Sequence, residues 1–296
     1  MTPTDKAPDI LGRAILVNVD ISAWEARKHD REMTEKVNKR AGAAPDAGRY
    51  HKHLFGGRVE SLSAVQNAQH ALRIMHYEQT LPWTDTGWRL LPTANHTAYT
   101  EAYRQHVVEI QKAVDAFVSQ YPKLVREAEK KLGPSMFRAK DYPDVNEVRS
   151  RFNVSVDYSP VPAEGDFRVT LPKEEMARME KSVRRRLQEA VKLAMADAYQ
   201  RLGEAVSDLR EHLHDGKYLR DTMITRISDV ADMLGRLNLT DDPNLEQVRK
   251  QAIKTLATAD ITGLRSDAKV RTKVAEDADA ILKQMQGYYA PPKEGK

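Results

Sequence analysis

Apolar residues recur at steps of three and four along two long stretches of the chain. The first stretch runs from Tyr99 to Leu132, and the second runs from Met176 to Leu213. This spacing places the apolar side chains on one face of an α-helix, so each stretch predicts a long amphipathic helix. Pro122 predicts a kink or break near Tyr121 in the first helix, and Gly133-Pro134 predicts its end.

The predicted second helix is long for a chain of 296 residues. At about 1.5 Å per residue, a helix of about 40 residues spans about 60 Å and overhangs a globule of this size. Two arrangements remain open from the pattern. Either the two long helices pack on each other, as a bundle or a helical-hairpin arm, or the second buries its apolar face in another subunit as a coiled coil.

Three short segments alternate with the period of a β-strand. Ala14 to Ile21 is rich in β-branched residues and predicts an N-terminal strand. Residues 152–158 and 166–171 also alternate, and the Pro- and Gly-containing segment between them is typical of a turn. We therefore expect a β-hairpin at 152–171.

Shorter helices fill most of the remaining chain. Ser22 and Glu25 have the spacing of a capping box, which predicts a helix from about Ala23 to Arg40. Residues 61–79 predict another helix, and the Pro- and Trp-containing segment 80–92 predicts an irregular loop pinned by Trp83 and Trp88. Three further helices are expected at about 218–237, 244–257 and 266–286.

The pattern as a whole predicts a mainly α fold of long amphipathic helices with a small β element. We expect an N-terminal α/β-containing region at 14–96 and a long-helix pair with its hairpin at 97–215. A C-terminal helical region at 216–287 and a disordered tail at 288–296 complete the predicted organisation.

Composition narrows the class of protein. The chain is 41% hydrophobic and 30% charged, which suits a globular domain. It has no cysteine, so disulfides, thiolate zinc sites and cysteine nucleophiles are excluded. No stretch of about 18 apolar residues predicts a membrane span, and residues 1–10 lack a secretory pattern. We therefore expect a cytoplasmic protein.

No motif in the sequence predicts catalysis. Phosphate-binding loops, dinucleotide fingerprints, HExxH and GxSxG are all absent. The histidines lack the helical i, i+4 spacing of metal ligands, and His51 and His53 would share a side only on a strand. Paired carboxylates such as Asp241-Asp242 fit helix starts. The sequence predicts no catalytic residue, metal, cofactor or small-molecule substrate.

Two basic stretches suggest contact with nucleic acid. The net charge is +4, so the basic excess is small and local clusters matter more. The first stretch mixes cations with two rings, as single-strand binding surfaces do. The second is a run of cations on the second long helix, without aromatic residues. The candidate contacts are Lys36, Lys39, Arg40, Arg49, Tyr50, Lys52, Phe55, Arg58, Lys181, Arg184, Arg185 and Arg186.

Three segments carry a resemblance to a known family. TLPWTDTGWRLLP (80–92), VRSRFNVSVDYSPVPAEGDFRV (148–169) and LNLTDDPNLEQVR (237–249) resemble an uncharacterised family of bacteriophage and mobile-element proteins. The similarity extends from about Ile15 to Gln286. It implies a phage or prophage origin, a bacterial host, and genes often encoded near MoxR-type AAA+ ATPases and von Willebrand factor A partners. It implies no activity and no site residue.

Three functional hypotheses follow from the sequence, and the third is an enzyme whose site is assembled from residues distant along the chain. The first is a non-enzymatic helical scaffold or adaptor that acts through oligomerisation or a protein partner, with an AAA+ ATPase complex as one candidate. The second is a single-stranded DNA-binding protein of phage DNA metabolism. The long amphipathic helices favour the first hypothesis, and the basic stretches favour the second.

Overall fold

The computed structural model describes residues 10–85, 87–163, 165–166, 172–214 and 218–288. The protein is mainly α, as predicted, and is 67% helical. Its longest helices are α3 (His96–Met136) and α5 (Lys173–His214). The other helices of the described chain are α1 (Arg31–Arg40), α2 (Glu60–Glu78), α4 (Val145–Ser150), α6 (Asp221–Leu237), α7 (Pro243–Ala252), α8 (Ile261–Ser266) and α9 (Ala268–Gln284).

The strands form two small sheets. One sheet has the order β4 (Leu81–Pro82), β5 (Arg89–Pro92), β1 (Ala14–Ile21) and β6 (Val154–Pro160). In it, β5 runs antiparallel to both β4 and β1, with Ala14 opposite Pro92. The other sheet is an antiparallel hairpin of β2 (Arg27–His29) and β3 (His51–His53).

The chain folds into two compact units. Unit 1 comprises residues 1–18, 77–99 and 157–296, as far as the structure describes them, and unit 2 comprises residues 19–76 and 100–156. The backbone passes between the units four times, at 18–19, 76–77, 99–100 and 156–157. This division differs from the three consecutive regions that the sequence suggests, because distant segments pair within each unit.

Unit 1 has an aliphatic, helix-based core. The second half of α5 buries a stripe of small and branched residues that includes Ala194, Ala198, Leu202 and Val206. Helices α6, α7 and α9 contact this helix and add buried residues such as Ile227 to the same core. The alanines allow close approach of neighbouring helices, and the larger side chains fill the spaces between them.

Unit 2 has an aromatic core beside a buried group of charges. Trp24, Phe55, Phe117 and Tyr121 pack with ring centroids 6.0–6.3 Å apart, edge to face except for the tilted Trp24–Phe117 pair. The geometry is the one that aromatic quadrupoles favour. Lys52 lies next to this region, with a side chain that is only 2% exposed.

Both long helices lie where the apolar periodicity predicted them. The prediction of a kink or break near Tyr121 differs from the structure. Helix α3 continues through Pro122, and its backbone leaves helical geometry at Gly133, where φ is 63°. The predicted strand at 14–21 is confirmed. The second strand of the predicted 152–171 hairpin falls largely on residues 167–171, outside the described residues, and the predicted tail falls largely there too. Strand β6 pairs with β1.

Two local predictions are wrong. The helix expected from Ala23 begins only at Arg31, because the Asp30 side chain caps it by accepting the Met33 amide at 3.1 Å. Residues 27–29 form a strand instead. The segment 80–92, expected as an irregular loop, contains the β4–β5 pair, because β1 offers an edge on which β5 can pair. Trp83 is buried there, as expected.

Candidate protein-binding groove

A groove between α5 and α6 is a concave surface of unit 1. Its volume is about 650 Å³, within the range of ligand and peptide sites. Helix α6 lines it with one face, because the lining positions repeat at steps of three and one. The lining residues are Tyr77, Glu78, Arg89, Asp197, Arg201, Glu204, Thr222, Thr225, Arg226, Asp229, Val230, Met233 and Leu234.

Two arginines hold the end of α2 against the groove. The Arg201 guanidinium donates to the carbonyls of Tyr77 at 3.0 Å and Thr80 at 2.8 Å, and also to the carbonyl of Glu78. Arg89 donates to the Thr80 hydroxyl at 2.6 Å and lies over the Tyr77 ring at 4.5 Å. The Tyr77 and Glu78 carbonyls lie in the last turn of α2, where intrahelical partners run out, and the Thr80 carbonyl follows it. Arg201 therefore caps the end of α2, and Arg89 adds a bond to the Thr80 carbonyl at 3.1 Å.

Electrostatics at this cap are set by burial. Desolvation lowers the pKa of Arg89 below its ordinary value, the Asp197 carboxylate raises it, and the neighbouring Arg201 lowers it again. Asp197 also forms an ion pair with Arg201 at 2.6 Å. Since guanidinium groups keep their proton in proteins, both arginines stay charged and keep their hydrogen bonds to the carbonyls.

The carboxylates of the groove have fewer partners within the protein than its arginines have. In the described part of the chain, Glu78, Glu204 and Asp229 have no cationic partner, and Glu204 accepts only from the Gln200 amide at 2.8 Å. Arg226 lies 3.4 Å from Asp208. The charges left available are therefore mainly negative, and they flank an apolar strip of Val230 and Met233.

The lining of the groove combines half-buried apolar side chains with carboxylates. Within the described ranges, no three His, Asp or Glu side chains are arranged to hold a metal ion. Half-buried apolar residues beside unpaired carboxylates instead fit the apolar and charged faces of an amphipathic helix. Seven lining positions from Thr222 to Leu234 cover about 18 Å of α6, the length of a three-turn helix.

The structure separates the residues of the first basic stretch. Lys52 is buried and donates to the Met136 carbonyl at 2.6 Å, with Asp141 at 2.8 Å and Asp30 at 3.5 Å. Phe55 is 3% exposed within the aromatic core. Both were expected as surface contacts, and their burial removes them from any such surface.

The buried charges compensate one another. Burial raises the pKa of Asp30, but the Met33 amide and the Lys52 and Arg138 cations outweigh it, so the pKa lies below its ordinary value. For Asp141, burial likewise raises the pKa, and the bonds to Lys28 and Lys52 outweigh it. Lys52 is therefore a structural cation whose hydrogen bonds join β3 to two acidic residues distant in sequence.

The other members of the first stretch stay at the surface of unit 2. Lys36 pairs with Glu32 at 2.6 Å, as the i, i+4 spacing indicates, and Tyr50 is half-buried. The remaining cations of this stretch are exposed. They are Lys39, Arg40, Arg49 and Arg58.

The second stretch divides along α5. Arg186 forms an ion pair with Asp85, donates to the Thr84 hydroxyl at 2.9 Å and lies 5.4 Å from the Trp83 ring centroid. Lys181, Arg184 and Arg185 line a separate surface cavity of about 730 Å³ near the start of the helix. The predicted run of cations is thus divided between Arg186, which makes structural contacts, and a basic surface formed by the other three.

Sequence reasoning did not find the groove. Its carboxylates Glu78, Glu204 and Asp229 come from three separate segments, and none belongs to a motif. The amphipathic pattern of α6 was the one available signal, since half-buried Val230 and Met233 extend its apolar face beyond the fully buried positions.

No protein-family model, no curated protein and no solved structure matches the chain. Among the described helices, none has the length and apolar character needed to cross a membrane. The resemblance to phage and mobile-element proteins stays a prediction.

Proposed function

We propose that the protein is a non-enzymatic helical adaptor, and that the α5–α6 groove binds a basic amphipathic segment of a protein partner. The observation that carries the proposal is the combination of an apolar strip with uncompensated carboxylates. Val230 and Met233 would take the apolar face of the segment. Glu204 and Asp229 would take its lysine or arginine side chains.

The choice of a basic partner follows from which charges are already engaged. Arg89 donates to the hydroxyl and the carbonyl of Thr80, and Arg201 donates to the same carbonyl, so an acidic ligand would find these donors occupied. Glu204 and Asp229 lie on facing helices, and a cation between them would be attracted from both sides. The proposal extends to an AAA+ ATPase complex as partner only through the family resemblance.

Binding of designed peptides tests the groove directly. A fluorescent, three-turn peptide with leucines on one face and lysines on the other is titrated by anisotropy. We expect Glu204→Lys with Asp229→Lys to weaken binding at least tenfold, because attraction becomes repulsion. The matched control is Glu189→Lys with Glu276→Lys, two exposed carboxylates outside the groove.

Two outcomes would overturn the proposal. One is equal loss of affinity in the groove variant and the control variant, which would show non-specific charge attraction. The other is equal binding of a peptide in which glutamates replace the lysines. Light scattering of the unliganded protein separates a partner from a second copy, because a concentration-dependent dimer that Asp229→Lys abolishes would assign the groove to self-association.

Single-stranded DNA binding is a second candidate, favoured by the basic surface at the start of α5. Lys181, Arg184 and Arg185 line one cavity there, so their charges can act together on a phosphate backbone. This candidate predicts oligonucleotide binding that falls steeply with salt and is lost in the double variant Arg184→Glu, Arg185→Glu. Binding that is absent or independent of salt would exclude it.

A further inference from the structure

A small cavity in unit 2 collects basic side chains at the β2–β3 hairpin. Its volume is about 240 Å³, larger than a phosphate group and below the usual size of drug-sized ligand sites. Arg27 and His53 line it from directly opposed positions on the two strands. Arg58 lines it from the segment that leads into α2. Basic side chains from β2, from β3 and from the segment before α2 therefore share one opening.

The two arginines keep most of their donors available. The Arg58 Nε donates to the Ser63 hydroxyl at 3.2 Å, which orients the guanidinium without neutralising it. Among the described residues, neither Arg27 nor Arg58 forms an ion pair with a carboxylate. This differs from Arg89 and Arg201 in unit 1, whose donors are occupied by carbonyls.

The cavity is built on unusual backbone. Ala26 has a φ of 50°, and Gly57 has a φ of 146°. A left-handed alanine is strained and persists only where its surroundings hold it. Here the Ala26 carbonyl accepts the Leu54 amide at 2.8 Å, which fixes the start of the hairpin. Phe55 and Leu62 form an apolar base beneath the polar rim.

We propose that this cavity binds a phosphate monoester through Arg27, Arg58 and His53. Guanidinium groups recognise phosphate oxygens with paired hydrogen bonds, and two of them match the double charge of a monoester. The cavity holds the phosphate and the first atoms of its substituent. Glu25 also lines the rim, and its carboxylate opposes the ligand and lowers the affinity.

The chemistry fits two sources, a phosphorylated small molecule and the terminal phosphate of a nucleic acid. The probes are ribose 5-phosphate and a short single-stranded oligonucleotide with or without a 5′-phosphate. Binding is followed by ¹H–¹⁵N TROSY spectra of the full chain, with the Gly57 and Val59 amides as local reporters. Sodium chloride at matched ionic strength is the reference.

Variants that remove a positive charge and a variant that removes a negative charge should change the affinity for ribose 5-phosphate in opposite directions. We expect Arg27→Gln and Arg58→Gln each to weaken ribose 5-phosphate binding at least tenfold, whereas Glu25→Gln strengthens it severalfold by removing repulsion. Arg49→Gln, an exposed arginine of the same unit outside the cavity, is the matched control and should leave affinity unchanged. Unchanged circular dichroism and thermal midpoints verify that each variant is folded.

The outcomes are decisive in both directions. Tighter binding of the 5′-phosphorylated oligonucleotide than of ribose 5-phosphate identifies a nucleic-acid end, and equal binding identifies a small phosphate ester. The proposal is overturned if neither ribose 5-phosphate nor the 5′-phosphorylated oligonucleotide shifts the reporters more than chloride does, or if affinity ignores Arg27→Gln and Arg58→Gln.

Discussion

The interiors of the two units rely on different kinds of interaction. Unit 2 combines an aromatic cluster with the buried cation Lys52 and its acceptors Asp30 and Asp141. Unit 1 distributes its core over many aliphatic contacts between α5 and the C-terminal helices. In unit 2, Lys52 lies on a short strand, and its two acceptors lie at the start of α1 and shortly after α3, so this region depends on a few directional bonds. In unit 1, α5 buries a continuous apolar stripe, so no single contact dominates.

The largest expected effect is on the directional bonds of unit 2. Lys52→Met leaves two buried carboxylates without their shared cation and should lower the free energy of unfolding of this unit by about 3–5 kcal/mol. Hydrogen exchange measured by mass spectrometry reports on each unit separately. The control Lys36→Met removes an exposed pair and should cost less than about 1 kcal/mol. Equal costs would refute the distinction.

Acid should weaken the same unit. Asp30 and Asp141 have pKa values below the ordinary 3.8, so their stabilisation is fully present above that value. It is lost as the pH falls through the lowered folded-state pKa values. With Trp83 and Trp88 replaced by Phe, Trp24 fluorescence follows this transition. In that background, Asp141→Asn should flatten the acid dependence, and an unchanged profile would contradict the assignment.

A smaller effect is expected for a hydrogen bond in unit 1. The Tyr199 hydroxyl donates to Asp242 at 2.9 Å, and Asp242 caps α7 by accepting the Asn244 amide. Burial and the bond to Asp242 raise the pKa of Tyr199 above its ordinary value. Tyr199→Phe should cost about 1.5–3 kcal/mol in urea unfolding. Tyr218→Phe, on a 73% exposed side chain, should cost nothing measurable.

The smallest effect should come from one methylene group in the aliphatic core. Ile227 is fully buried on α6, and Ile227→Val should lower the free energy of unfolding by about 0.5–1.5 kcal/mol. Leu193→Ala, at a 43% exposed position of α5, serves as the comparison in the same urea experiment. If Ile227→Val lowered the free energy of unfolding by more than Lys52→Met does, the contrast between the units would be contradicted.

Prediction from sequence succeeded where the signal was local and repeated. Helices α3 and α5 follow from apolar spacing over some ten turns, and the strand at 14–21 follows from alternation. It failed for β2 and β3, which are three residues each and pair across an intervening helix. At Arg27, the capping pattern of Ser22 and Glu25 favoured a helix, but pairing with His53 decided the outcome.

The candidate sites were harder still to predict from the sequence. Arg184 and Arg185 were identified as a basic cluster from their adjacency alone, and the structure places them together on one cavity. Lys52 was also identified as a basic surface contact, yet it is buried. No pattern within a few residues of Lys52 indicates that Asp141, 89 positions away, lies 2.8 Å from it.

The sequence by itself determined the mainly α class, the lengths of the two long helices and the absence of thiol chemistry. These follow from composition and from periodicities that act over neighbouring turns. Tertiary structure alone decided which cations are buried, which carboxylates of the α5–α6 groove remain uncompensated, and which arginines meet at the hairpin cavity. Those properties depend on desolvation and on pairing between segments distant along the chain, and neither is encoded in any local spacing.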